Sequence, residues 1–301
     1  MTDIQSLLGI RREVQLAPYT TYQIGGPADY FLEAMTTDDL VRAIKVARKV
    51  RLPYFVLGTG ANILVSDLGF RGLVIRNATA GTSFSGNLLT AASGATIADL
   101  IELTATHELS GLEHFAGIPS TVGGAIWQNL HFLAPDRKET VFIGDILVGA
   151  EVLMPDNQIF QVEKDYFEFG YDESRLHHEE IIILSATFQL QPKSEADIRK
   201  QILANLDWRN EKQPQLSEFP SCGSVFKKIE GVGAGRLIDQ AGLKGKQIGQ
   251  AQISTKHANY FVNLGKAAAT DVKALIDVAH DTVKAQTGRD LQMEISLVGE
   301  W

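Results

Sequence analysis

Apolar positions along the chain switch between helical and strand periods, and the switches mark out its elements. Leu40, Ile44 and Ala47 recur at helical spacing behind Thr37, read as an N-cap with Asp38 and Asp39 in the first turn. Strands follow at Tyr54–Leu57, 63–66 and 73–76, and Thr96 with Asp99 opens a helix that ends near Gly111. Residues 148–154 and 158–162 flank Pro155-Asp156-Asn157, which predicts a hairpin, and 181–190 is a long, largely apolar strand. Ser194 and Asp197 then start a helix carrying Ile198, Ile202 and Leu206, which stops before Pro214 and serves as the domain linker. Beyond it come a small helix near 236–241, a strand at 260–263, and a helix with Val272, Leu275, Ile276, Ala279 and Val283 on one face. Residues 291–298 form a closing strand.

Between these elements lie two glycine-rich loops. One, in 115–129 (FAGIPSTVGGAIWQN), holds Gly117, Ile118, Pro119, Ser120, Thr121, Gly123 and Gly124. The other, Gly58-Thr59-Gly60-Ala61-Asn62, follows the strand Tyr54–Leu57 directly. It imitates a dinucleotide fingerprint, but Val65, Ser66, Asp67 and Gly69 follow where a helix has to open, so the Rossmann reading fails. Glycines let backbone N–H groups come close to a ligand, and the ligand chemistry this favours is phosphate. Composition alone leaves a plain turn between core elements equally open.

Length and charge narrow the classes. The 301 residues, 45% of them hydrophobic, suffice for two cores. No window is long and apolar enough for a membrane span, and the first twelve residues lack a signal-peptide core, so a cytoplasmic protein without membrane insertion is expected. The net charge of −8 argues against nucleic acid, and one cysteine, Cys222, excludes an intrachain disulfide and a cysteine-based zinc cage. Residues 195–290 carry 14 basic and 11 acidic side chains, a local excess of three positive charges suited to an anionic ligand. His257 and the pair His177-His178 have no acidic or histidine cluster at ligand spacing, and no metal is expected.

Seven blocks, IGGPADYF, LGTGANILVSDLGFRGLVI, GLEHFAGIPSTVGGA, PSCGSVFK, GAGRLIDQAGLKG, KHANYFVNLG and MEISLVG, stand in the order found in bacterial UDP-N-acetylenolpyruvoylglucosamine reductases, and the chain resembles that family from about Pro18 to Glu300. The resemblance implies an α+β protein: an FAD-binding fold of the vanillyl-alcohol-oxidase (PCMH) type with a separate α+β substrate-binding domain. It places the FAD-binding region at 1–192 with two subdomains split near 77, the substrate-binding domain at 193–290, and a C-terminal strand, 291–301, returning to the FAD-binding region. Short connections after Arg175 resemble the compact form of the family. The implied reaction uses NADPH and non-covalent FAD to reduce a UDP-sugar enolpyruvyl ether to UDP-N-acetylmuramate for peptidoglycan. Two alternatives share the scaffold: an FAD-dependent oxidase, and a flavin-binding protein that has lost catalysis.

By the same resemblance the two loops, Gly58 to Asn62 and Ile118 to Gly124, bind FAD. Ser224 matches the serine that protonates carbon, and Glu294 the glutamate that hydrogen-bonds the developing enediolate when protonated. Read alone, Ser224 is a turn hydroxyl and Glu294 an edge residue between Met293 and Ile295. Tyr171, Lys227 and Lys228 are implied substrate contacts. The chain departs from the family where its usual arginine is Asp172, where Ser296 replaces another arginine, where Lys228 replaces an asparagine, and where Asn129-Leu130-His131-Phe132 replaces an asparagine-rich loop. Arg175, three residues past Asp172, is the candidate for the lost carboxylate clamp if 172–175 makes a helical turn, with Asp172 or Glu173 orienting it.

Overall fold

The computed structural model describes residues 2–134, 138–229 and 231–301. They form two compact units, neither a continuous piece of chain: one is Met1–Ile10, Leu32–Thr59 and Ile75–Arg209, the other Arg11–Phe31, Gly60–Val74 and Asn210–Trp301.

The first unit is built on a five-stranded antiparallel sheet in the order Ile159–Glu163, Leu147–Leu153, Ile182–Gln189, Leu88–Ala92, Thr82–Ser85. Its hairpin closes where Pro155-Asp156-Asn157 predicts, with Asn157 in the left-handed region (φ 68°), a conformation asparagine tolerates. Helices Ile97–Thr106, Val122–Gln128 and Glu195–Lys212 bury Leu100, Ile126 and Ile198 in one core with Ala91, Val152 and Phe188 of the sheet. The caps at Thr96 and Ser194 form as read, each hydroxyl accepting from the N–H three residues on, at 3.1 and 3.2 Å.

Two helix boundaries differ from the sequence reading. Helix Thr37–Lys49 is capped by Thr36, because Thr36 has the extended backbone of a cap and accepts from Asp39 N at 3.1 Å while Thr37 is already helical. The helix after Thr96 stops at Thr106, short of Gly111, because Glu108 turns left-handed (φ 56°) and Leu109–Ser110 pairs with Gln191–Pro192.

The second unit packs helix Ala269–Thr287 on the strands Gln247–Ile248, Ala251–Ile253 and Phe261–Asn263. All five apolar residues of its predicted face are buried. Its first turn is held by Asp67, whose carboxylate accepts Ala269 N at 2.7 Å and Thr270 N at 3.0 Å. Residues 11–31 and 60–74 belong here through specific bonds: fully buried Tyr22 donates its hydroxyl to Phe261 O at 2.7 Å, and Asn263 Nδ2 donates to Tyr22 O at 3.0 Å. The closing strand is shorter than the apolar run suggests. Only Ser296–Val298 is regular, paired parallel with Ile63–Val65, because 291–295 instead exchanges single bonds with 225–227.

Candidate active site

In the first unit the two glycine loops meet. Thr59 Oγ1 donates to Pro119 O at 3.3 Å, and a Cβ built on Gly58 would lie 2.8 Å from Thr121 Oγ1, closer than side chains tolerate. Gly58 is therefore glycine because Thr121 occupies its side-chain space. Thr121 is fixed in turn, since its hydroxyl accepts Gly124 N at 3.2 Å while Val122 N and Gly123 N bond Ala95 O and Ser93 O. Among the described residues the N–H groups of Thr59, Ser120 and Thr121 have no protein acceptor. Converging backbone donors with hydroxyls beside them suit a pyrophosphate, so the residues fit FAD.

The approach to the second loop is braced by buried Glu113, which accepts Ser110 Oγ at 2.5 Å and Gly111 N at 2.6 Å. Burial raises its pKa, but the bonds from Gly111 and Ser110 outweigh it and hold the carboxyl below its ordinary value.

A cavity of ≈ 690 Å³ opens in the same unit, walled by Tyr54, Phe55 and Val56 just before Gly58, by Trp127, and by Ile181 and Ile182. Arg48, Arg51, Glu179 and Glu180 line it as well, so its walls are mixed, part apolar and part charged. Trp127 is locked there by His177, whose ring stacks on it at 3.7 Å and whose Nε2 lies 2.8 Å from Trp127 O, with Ser174 Oγ donating to the same oxygen. His177 thus has a packing partner, and among the described residues no group of three or more His, Cys, Asp or Glu side chains is placed to hold a metal.

In the second unit the rest of the first loop sits with the predicted acid groups. Gly60 has φ 65°, and a Cβ there would lie 2.4 Å from Tyr19 O. Asn62 donates Nδ2 to Glu294 O at 3.2 Å and accepts Ser296 N at 3.0 Å, so the end of the loop carries the Glu294 backbone. Glu294 N bonds Val225 O at 2.8 Å, and Ser224 bridges Tyr260 from the other side of the same segment. Asn259 replaces a missing strand partner by bonding both Phe226 N and Phe226 O through its side chain. Ser224 and Glu294 therefore lie on adjacent segments, half-buried, with Lys227 half-buried and Lys228 exposed just beyond. Cys222 is buried beside Tyr22; burial pushes its thiol pKa up, leaving it inert at neutral pH.

Tyr171, Asp172 and Arg175 lie in the first unit. The expected helical turn over 172–175 does not form: Gly170 and Glu173 pair across a tight turn with Asp172 left-handed (φ 52°), and the short 3-10 helix begins only at Arg175. Arg175 pairs with Glu168 and, at 3.7 Å, with Glu179, and lies over the Tyr166 ring, so its orienting acids are not Asp172 or Glu173. Asp172 is fully buried and accepts Gln128 Nε2 at 3.0 Å, with His131 Nδ1 3.5 Å away. Gln128 and His131 escaped the sequence reading, although the departure at 129–132 pointed to the right stretch.

Comparison with known proteins covers both halves of the chain. Residues 28–163 match the FAD binding domain family, and residues 213–298 match the C-terminal domain of UDP-N-acetylenolpyruvoylglucosamine reductase. The reductase of that name from Chlamydia pneumoniae is 40% identical over 291 residues, 96% of this chain and 92% of that protein. The Halalkalibacterium halodurans protein of the same name is 38% identical over 293 residues, 97% of this chain and 95% of its own. The crystal structure of the Thermus caldophilus reductase superposes with a TM-score of 0.80 at 32% identity, covering 96% of this chain and 99% of that one.

Proposed function

The chain belongs to the UDP-N-acetylenolpyruvoylglucosamine reductase family, and from this we infer an FAD-dependent oxidoreductase that uses NADPH to reduce the enolpyruvyl ether of a UDP-sugar to UDP-N-acetylmuramate, in the synthesis of peptidoglycan. The observation that carries the reading is the joint match of the FAD-binding and C-terminal regions at this identity over nearly the whole chain. No described helix is long and apolar enough to cross a membrane. The reading assigns the reaction to the cytoplasm, where NADPH is supplied.

Bound FAD would supply the hydride chemistry between NADPH and the enolpyruvyl carbon. Thr59, Ser120 and Thr121 would hold its phosphates through the donors described above, with Gly60, Ala61 and Asn62 completing the loop and Ile118, Pro119, Gly123 and Gly124 shaping its partner. Residues 193–290 are the substrate-binding part in this reading, with Lys227 and Lys228 as anion contacts. Ser224 holds the proton that goes to carbon, and Glu294 hydrogen-bonds the carboxylate as it takes on enediolate charge. Arg175 remains a candidate substrate contact, anchored through Glu168 and Glu179.

Purified protein is expected to be yellow and to consume NADPH steadily only when the UDP-enolpyruvyl sugar is present. Rapid oxygen uptake with another electron donor would replace this reading with an oxidase, and bound FAD without either turnover with a protein that has lost catalysis. Neither glycine loop contains a histidine or cysteine able to form a covalent flavin link. Acid precipitation should therefore release free FAD into the supernatant; flavin retained in the pellet contradicts non-covalent binding.

A further inference from the structure

Helix Glu195–Lys212 reads from the sequence as a linker, yet its residues as far as Arg209 belong to the first unit, and one of them breaks an apolar face. Its buried residues are Ile198, Ile202 and Asn205, at the i, i+4, i+7 spacing of a core-facing stripe. Asn205 has no exposed surface. A buried amide is costly unless its hydrogen bonds are made, and a leucine would fill the position without that cost. Asn205 makes its donor bonds outside its own helix: Nδ2 donates to Glu113 O at 3.2 Å and to His114 O at 3.1 Å, while Oδ1 accepts Gln201 Nε2 at 3.0 Å.

The two carbonyls belong to the short 3-10 turn Glu113–Phe115, which delivers the chain to the second glycine loop. Ile118 N donates to Phe115 O at 3.0 Å, so the turn sets where the loop starts. A Cβ built on Gly117 (φ 82°) would lie 3.0 Å from Leu206 Cδ2 and from Arg209 Nε, so the loop leaves the turn hard against the same helix. Glu113 is held twice: its backbone by Asn205, and its carboxylate by Ser110 Oγ, Gly111 N and, at 3.4 Å, Lys193 Nζ just ahead of the helix. The far side of the loop is fixed separately, by the Thr121 cap and by the bonds from Val122 N and Gly123 N. Ser120 and Thr121 therefore hang between two anchors. One of them is this helix.

We propose that Asn205 and Glu113 are positioning residues for the cofactor: through them helix Glu195–Lys212 places the phosphate-type loop and so sets the affinity for FAD. Both act through the backbone of 117–121 rather than by touching the flavin. The inference rests on the reading that the glycine loops hold the phosphates of FAD. It accounts for an amide where helical periodicity calls for an apolar side chain.

The test uses the FAD-loaded full chain. Free flavin is separated by ultrafiltration at successive dilutions, which gives the dissociation constant of FAD, and displacement of FAD by riboflavin, which has the ring but no phosphate, gives that of riboflavin. In Asn205→Leu and in Glu113→Gln, FAD should bind roughly tenfold to a hundredfold more weakly, the range of a hydrogen bond to a charged group, while riboflavin binds as in the parent. General loosening of the fold weakens both ligands together and does not produce this split. If Asn205→Leu does not fold, Glu113→Gln carries the same readout. Gly58→Ala, which disturbs the loops directly, is measured alongside. A lowered preference for FAD in Gly58→Ala with both other variants unchanged, or weakened equally for the two ligands, overturns the role of the helix. A preference unchanged in Gly58→Ala as well overturns the assignment of the loops to the phosphates.

Discussion

Replacing Ser224 by alanine should leave reduction of the bound flavin by NADPH nearly intact and slow its reoxidation by the enolpyruvyl substrate by roughly two to four orders of magnitude, the usual worth of a positioned general acid. The two half-reactions draw on different groups, and only the second delivers a proton to carbon. Two nearby acids are poor substitutes: Cys222 is buried with its thiol pKa pushed up, and Tyr22, pushed up by burial and then by Cys222, is committed to Phe261 O. The fold should tolerate the change, because the segment is held by backbone bonds from Val225 and Glu294 and by Asn259. Stopped-flow traces with both phases unchanged would make Ser224 an ordinary turn hydroxyl.

Gly58→Ala should yield protein that purifies pale, with FAD affinity weakened roughly tenfold to a hundredfold, the scale of overpacking by one methyl group. The new carbon meets Thr121 Oγ1 at 2.8 Å and Cγ2 at 3.3 Å, so either the first loop lifts or the second is pushed off its cap at Gly124. Both movements spread the donors assigned to the pyrophosphate. Pairing Gly58→Ala with Thr121→Ala removes both offending atoms and leaves a contact of 3.6 Å, which is ordinary. The double variant should regain much of its colour despite losing a helix cap worth about 1 kcal/mol. FAD titration of the two proteins distinguishes this from general destabilisation, and a single variant as yellow as the parent would dissociate the loops from flavin binding.

What the sequence made legible follows from the range of the interactions. Caps at Thr96 and Ser194, the hairpin at Pro155-Asp156-Asn157 and the buried face of Ala269–Thr287 depend on residues a few positions apart, and periodicity reads them well. The closing strand was overextended because apolar alternation in 291–295 reports burial, whereas its hydrogen bonds go to a segment some seventy residues earlier. The site divides in the same way. Glycine spacing exposed both loops, but that Thr121 is the reason for Gly58 depends on two segments meeting in space. Asp172 was visible as an anomaly, while its partner Gln128 lies 44 positions away and gave no signal of its own. A helical turn from 172 to 175 is what local spacing alone suggests, and the left-handed backbone of Asp172 rules it out.

The bond from Asn62 to Glu294 joins residues 232 positions apart, and the strand beside it is completed only by Ser296–Val298. During synthesis this sets an order of events. At ~5–20 residues per second, Asn62 leaves the ribosome roughly 10–50 s before the segment that fixes it is made. The end of the first glycine loop must wait through that interval without its anchor, so a nascent chain halted before Glu294 lacks both the glutamate proposed to face the substrate and the support of the loop. If the loop holds flavin as proposed, flavin capture waits on residues 294–298, and a deletion that removes them should be felt first as a failure to retain the cofactor.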